Sequence, residues 1–202
     1  KKDSAITRAA RGERGVLQEY HCVFVGSGDT FIDADVMANI EKDCVPAPFS
    51  HPSHRGIRIW KKPIEGRRYL ITSEVASGTA TDFTTMCIID LETGEAVGEF
   101  KEKITPQEFT PILKELGEYY NTAIVCPELN SYGLIVSETL RKEKYPKLYF
   151  ERMNSILEVE TYEAEQFEMP GWKTTEGTRP DMLAKLDYML STGKLKIYSK
   201  EL

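Results

Sequence analysis

Glu74, Asp82 and Glu128 are the residues whose type and placement in this sequence suggest chemistry. Each follows an apolar run: Tyr69 to Val75 (YLITSEV) leads through Ala76, Ser77 and Gly78 to Asp82, and Ala123 to Cys126 (AIVC) leads through Pro127 to Glu128 and Asn130. A carboxylate at the end of a buried strand is costly unless something positive meets it, and hard oxygen ligands suit Mg2+ or Mn2+. Carboxylates on neighbouring rigid strands are what two-metal phosphodiester chemistry needs, with ions about 3.5 to 4 Å apart, one acting on a water and the other on the leaving oxygen. A plainer reading competes: Glu74 faces solvent at a strand end, and Glu128 caps a helix starting near Ser131. The residues alone leave both open.

A second feature is the basic run Arg55, Arg58, Lys61, Lys62, Arg67 and Arg68, interrupted by the single acid Glu65. It either offers DNA phosphate contacts or forms a solvated loop and edge strand. A formal net charge of −6 over 202 residues excludes a chain that coats nucleic acid over its whole surface. The sequence has no GxxxxGK[ST] loop, no apolar run of membrane-spanning length and no Ser/His/Asp arrangement that stands out. His51-Pro52-Ser53-His54 with Cys44 reads as a surface loop rather than a zinc site. The four cysteines lack CxxC spacing, and Cys87 and Cys126 lie in apolar strand candidates as small hydrophobes, which fits a reduced, intracellular chain. Trp172 either stacks on a base or packs over a sheet edge, and packing is favoured.

The elements that must position the acids follow from punctuation and period. Residues 1–62 are mixed, with a strand-like stretch from Val16 to Val25, a short helix from Asp33 to Lys42 and a proline-rich loop at Pro46, Pro48 and Pro52. Lys1-Lys2-Asp3-Ser4 reads as the start of an excised piece. From Pro63 the pattern turns regular: strands Arg68 to Val75, Thr84 to Asp90 and Ala96 to Ile104, with a turn at Glu92-Thr93-Gly94-Glu95. Thr105-Pro106-Gln107-Glu108 opens a helix whose apolar positions are Phe109, Ile112, Leu113 and Leu116. Then come a strand at Ala123 to Cys126, a helix at Tyr132 to Lys142, a strand at Lys147 to Phe150, a helix at Thr178 to Leu190 and a strand at Lys194 to Tyr198. This order predicts an α/β, RNase H-like mixed sheet, an antiparallel meander followed by parallel strands, flanked by helices.

Taken in order, YLITSEVASGTATDFTTMCIID, ITPQEFTPILKELGEYYN, AIVCPELNSYG and PGWKTTEGTRPDML resemble the nuclease domain of the large terminase subunit of tailed bacteriophages and prophages. VLQEYHCVFVGSGDTFID resembles the stretch that joins the motor ATPase to the nuclease in that family. Glu128, Asn130 and Gly133 match its Glu-x-Asn-x-x-Gly motif, and Asp82 matches its second Asp; Glu74 stands where the family usually has Asp. The resemblance implies that residues 1–62 link to an absent upstream ATPase and that 63–202 form an RNase H-like nuclease domain lacking its C-terminal helix. It implies catalysis by Glu74 and Glu128, and a Mg2+ or Mn2+ site held by Glu74, Asp82 and Glu128. The third catalytic acid would lie beyond Leu202, since Asp181 and Asp187 match no part of its motif, so this piece is expected to cut feebly or not at all. The implied function is a metal-dependent endodeoxyribonuclease that cuts concatemeric genome DNA in the host cytoplasm. Its partners would be double-stranded DNA, the portal protein and the small terminase subunit, with no membrane and a monomeric isolated domain. Two alternatives remain: a recombinase or junction resolvase of the same fold, and a DNA-binding or portal-docking module that does not cleave.

Overall fold

The structure, a computed structural model, describes residues 31–51, 54–79, 81–152, 155–158 and 169–201. The expected strand between Val16 and Val25 lies outside them. Two compact units divide the chain, Lys1–Asp43 and Cys44–Leu202. In the first, helix α1 (Ala34–Asp43) starts where the Asp33 carboxylate accepts the Asp35 amide at 2.8 Å, one residue later than the sequence suggests.

The second unit is built on a six-stranded sheet. Its strands are β1 (Phe49–Ser50), β2 (Ile57–Ile59), β3 (Tyr69–Glu74), β4 (Thr84–Asp90), β5 (Glu95–Glu102) and β6 (Ile124–Pro127), in the spatial order β1-β2-β5-β4-β3-β6. All pairs are antiparallel except β3 with β6, which is parallel. The mixed, RNase H-like architecture read from the sequence is therefore the one observed. The sheet begins earlier than expected, because β1 and β2 belong to it although they fall within the 1–62 segment read as a linker.

The meander closes at Gly94, whose φ of 68° and amide bond to the Asp90 carbonyl make the turn; the Asp90 carboxylate accepts the Glu92 and Thr93 amides. Helix α2 (Pro106–Tyr119) follows. Its start is a complete capping box: the Glu108 amide donates to Thr105 Oγ1, and the Thr105 amide donates to the Glu108 carboxylate at 2.9 Å. α2 buries Phe109, Leu113 and Leu116, and helix α3 (Gly133–Lys142) buries Val136 and Leu140, in one cluster with Ile71, Ile88, Phe100 and Val125 of the sheet. One face of the sheet thus carries the core. Because strand residues alternate in direction, Thr72, Glu74, Thr85, Cys87 and Cys126 lie on the other.

Beyond α3, β7 (Tyr149–Arg152) pairs with β8 (Ser155–Glu158) as a separate hairpin and touches β6 through a parallel bridge at Val125 and Leu148. Gly171 and Trp172 lie between the ends of β6 and β7, bridging Phe150 and Glu128. Helix α4 (Thr178–Ser191) then leads to the last described segment. The strand expected at Lys194 to Tyr198 reduces to one bridge, Glu95 with Lys196. The physical reason is occupancy: β2 already pairs with β5 from Gly98 to Phe100, so only the start of that edge is free for a second partner.

Candidate metal centre

Glu74 and Glu128 end adjacent parallel strands in register. Ser73 faces Pro127 across the β3–β6 pair, and the Glu128 amide donates to the Ser73 carbonyl at 2.8 Å, so one further step sets Glu128 opposite Glu74. Residues directly opposed across a pair share a face, which puts both carboxylates on the side away from α2 and α3. Glu74 is exposed and Glu128 half-buried. Among the described residues, no ion pair neutralises either one.

The turn after β6 shows why its residue types are needed. The Asn130 side-chain amide donates to Glu128 Oε1 at 2.8 Å and fixes the carboxylate, and the Asn130 carbonyl accepts the Gly133 amide at 2.8 Å. A Cβ on Gly133 would overlap the Glu128 carbonyl, so only glycine lets α3 begin this close to the acid. Ser131 between them has a φ of 39°, a sparsely populated conformation for a residue with a side chain. The plainer reading of Glu128 as a helix cap fails here: the N-cap is Tyr132, and it receives no side-chain cap bond.

Asp82 is placed differently. It is exposed in the connection between β3 and β4, where its described bond is a 3.4 Å contact from Thr81 Oγ1. The connection turns at Gly78, with a φ of 77° and no room for a Cβ against the Ile104–Thr105 backbone. Among the described residues, no three His, Cys, Asp or Glu side chains approach closely enough to hold a metal ion. Glu74 and Glu128 are thus brought together as a pair, and Asp82 does not join them as the third member expected from the sequence.

The six basic residues are not brought together either. Arg67 and Arg68 precede β3, at the opposite end of the sheet from Glu74, where Arg67 bonds Asp90 at 2.8 Å and Arg68 meets Glu92 at 3.3 Å. Lys61 holds Glu95 at 2.6 Å, and Lys62 lies 4.7 Å over the Phe49 ring. Arg58 bonds both Glu99 and Glu201. Arg55 is exposed at the Glu74 end, next to Gly56, whose carbonyl accepts the Lys101 amide.

Local sequence gave no signal for several neighbours of the pair. The strand pairings set Thr85 opposite Glu74 and Lys101 opposite Thr85. Glu151, in β7, lies near enough to Cys126 and Tyr149 for its charge to act on both. Burial first, and Glu151 second, push the Cys126 thiol up to about 12, so it stays protonated and is a poor ligand for a hard cation. His51 and His54 stack at 5.3 Å between ring centres, and His51 meets Glu115 at 3.6 Å, the surface arrangement expected of that loop.

Several solved structures share this arrangement of strands and helices. The large terminase nuclease from thermophilic phage G20c is 13% identical, with a TM-score of 0.55 over 82% of this chain and 75% of that one. The fold is that of large-terminase nuclease domains. The magnesium-bound form of the G20c nuclease is 14% identical, with a TM-score of 0.57 and the same coverage of each chain. The large terminase nuclease domain of Thermus phage P74-26 is 14% identical, with a TM-score of 0.55 over 82% of this chain and 73% of that one. The G20c nuclease has also been solved with zinc and with cobalt. No protein-family model matches the chain. At these identities, what is shared with the terminase nucleases is the fold.

Proposed function

We propose that this chain is the nuclease domain of a phage DNA-packaging terminase, a metal-dependent endodeoxyribonuclease acting on double-stranded DNA. The observation that carries the reading is the Glu74–Glu128 pair: two carboxylates at the ends of adjacent parallel strands, on one face, with no cation of the protein beside them among the described residues. Two carboxylates that end adjacent strands on one face offer a divalent ion hard oxygen ligands from rigid elements. The donor set fits a hard cation, since both groups are carboxylates. Mg2+ or Mn2+ held by Glu74 and Glu128 would stabilise phosphoryl charge and make a bound water more acidic.

The chain's own groups divide the remaining work. Asn130 holds the Glu128 carboxylate in one orientation, which is how an outer-sphere partner keeps a ligand ready for its ion. The register of β3 against β6 fixes the separation of the two acids, because both strands are anchored by the core beneath them. Glu74 places its carboxylate one methylene further from the strand than an Asp would. Nothing in this arrangement reads bases, so cleavage with little sequence preference is expected. The setting that matches is the trimming of concatemeric genome DNA in the host cytoplasm, alongside a portal protein and a small terminase subunit.

Incubation of the chain with supercoiled plasmid and Mn2+ tests the reading. Feeble nicking that needs Mn2+, stops in EDTA and is lost in Glu128→Gln is the expected outcome. Nicking unchanged by Glu128→Gln would overturn the assignment.

A further inference from the structure

The same face of the sheet carries a cationic patch. Glu74 faces Thr85, and Thr85 faces Lys101, so Lys101 sits in the same cross-strand row as the acids, two strands from Glu74. Two inter-strand spacings amount to about 10 Å. Lys103 follows directly after the end of β5 at Glu102. Between the lysines stands Phe83, a large aromatic residue 44% exposed at the entrance to β4. The Lys101 ammonium lies 5.1 Å and the Lys103 ammonium 5.0 Å from the Phe83 ring centre. In a chain with net charge −6, two lysines near a pair of carboxylates would be expected to neutralise them. Instead both rest on an aromatic ring, and Lys101 makes its ion pair, at 3.2 Å, with Glu201.

We propose that Phe83, Lys101 and Lys103 form a platform that holds the phosphate backbone of a DNA strand and leads it across the sheet to Glu74 and Glu128. The inference rests on the nuclease reading for the polarity of that path, but the platform itself binds DNA without metal. A cation poised over an aromatic face keeps its charge and sheds part of its water, which suits it to a phosphate oxygen. The exposed ring supplies an apolar surface for sugar or base. A duplex advances about 3.4 Å per nucleotide along each strand, so Lys101 would meet a phosphate within about three nucleotides of the one at the carboxylates. The platform also lies at the end of the sheet where Arg55 is exposed.

The test is fluorescence anisotropy of a short fluorescein-labelled blunt DNA duplex titrated with the 202-residue chain in EDTA. Lys101→Gln/Lys103→Gln should weaken binding on the order of tenfold per lysine at about 0.1 M salt and make the log–log salt slope shallower by about 2. Lys103→Gln alone, at an exposed position, should give about half of each change, and Lys101→Arg/Lys103→Arg should restore wild-type binding. Lys144→Gln/Lys147→Gln, the same charge change beside the start of β6, should leave binding as it was. The proposal is overturned if the wild-type chain does not bind the duplex, if Lys101→Gln/Lys103→Gln binds normally, or if Lys144→Gln/Lys147→Gln carries the loss. Its fate is separable from that of the nuclease. Mn2+-dependent nicking that needs Glu128, with no effect of the lysines on binding, sinks the platform alone; lysine-dependent binding with nicking indifferent to Glu128 sinks the nuclease alone.

Discussion

The two ends of this sheet treat charge in opposite ways. Where β3 begins and β4 ends, acids meet bases: Arg67 with Asp90, Arg68 with Glu92, and nearby Lys61 with Glu95. Where β3 and β6 end, Glu74 and Glu128 stand without a basic partner among the described residues, and Lys101 and Lys103 lie over Phe83. The first end uses ionisable groups to hold a hairpin and an edge. The second leaves Glu74 and Glu128 without a described basic partner while Lys101 pairs with Glu201 and rests on Phe83, which is the pattern expected where a cation is to be bound from outside.

The contrast breaks most sharply if acids from the two ends are exchanged as targets. Glu128→Gln should weaken Mn2+ binding, followed by electron paramagnetic resonance, by about 100-fold or more, because a ligand matters at least as much as its outer-sphere partners. Its melting temperature should stay level, since the change breaks no described ion pair. Asp90→Ala should do the reverse. Asp90 is buried, and its carboxylate serves two turn amides as well as Arg67, so losing those turn bonds should cost about 2 kcal/mol in chemical denaturation while Mn2+ affinity holds. A stability loss in Glu128→Gln equal to that in Asp90→Ala would mean that the two ends do not differ in kind.

Asn130→Ala sharpens the same point at smaller scale. The side chain bonds Glu128 directly, so its removal should reduce Mn2+ affinity by about 10-fold without unfolding the turn, which Gly133 and the Asn130 backbone still close. Asp82→Asn should have less effect than either change, since Asp82 lies outside the pair. An Asp82→Asn loss as large as that of Glu128→Gln would show that the connection between β3 and β4 brings its acid in when metal binds.

What could be read from the sequence was whatever local chemistry decides. Alternation in YLITSE, the capping box at Thr105 and Glu108, and the Asp90-to-Gly94 turn each specify themselves within a few residues, and their elements appear within a residue or two of the expected bounds. Glu74 and Glu128 were visible for the same reason, as charges ending apolar runs. Pairing over long distance was not. Lys194 to Tyr198 has a strand's composition but found its edge already taken by β2, a segment read as linker. Lys101 lies within the expected strand Ala96 to Ile104, but only the β4 register sets it in the row of Glu74. The basic run from Arg55 to Arg68 looks continuous in sequence, yet a strand and a loop carry its members to opposite ends of the sheet.

The smallest expected effect belongs to the paired end and concerns acid stability. Burial alone would raise the Glu95 carboxyl, but the Lys61 ammonium at 2.6 and 2.7 Å and the donating Tyr198 hydroxyl outweigh it, bringing the group from its ordinary 4.5 down to about 2. A carboxyl depressed on folding binds fewer protons in the folded state than in the unfolded one between those two values. Its contribution is therefore complete above about pH 4.5 and is lost as pH falls toward 2. Because Lys61 is half-exposed, water and salt screen the pair, and the change should amount to about 2 °C in melting temperature across that window. Glu95→Gln should flatten this part of the acid slope and lower the neutral-pH melting temperature slightly. An unchanged acid slope in Glu95→Gln would show that this contact adds nothing, and that ion pairing there holds geometry rather than stability.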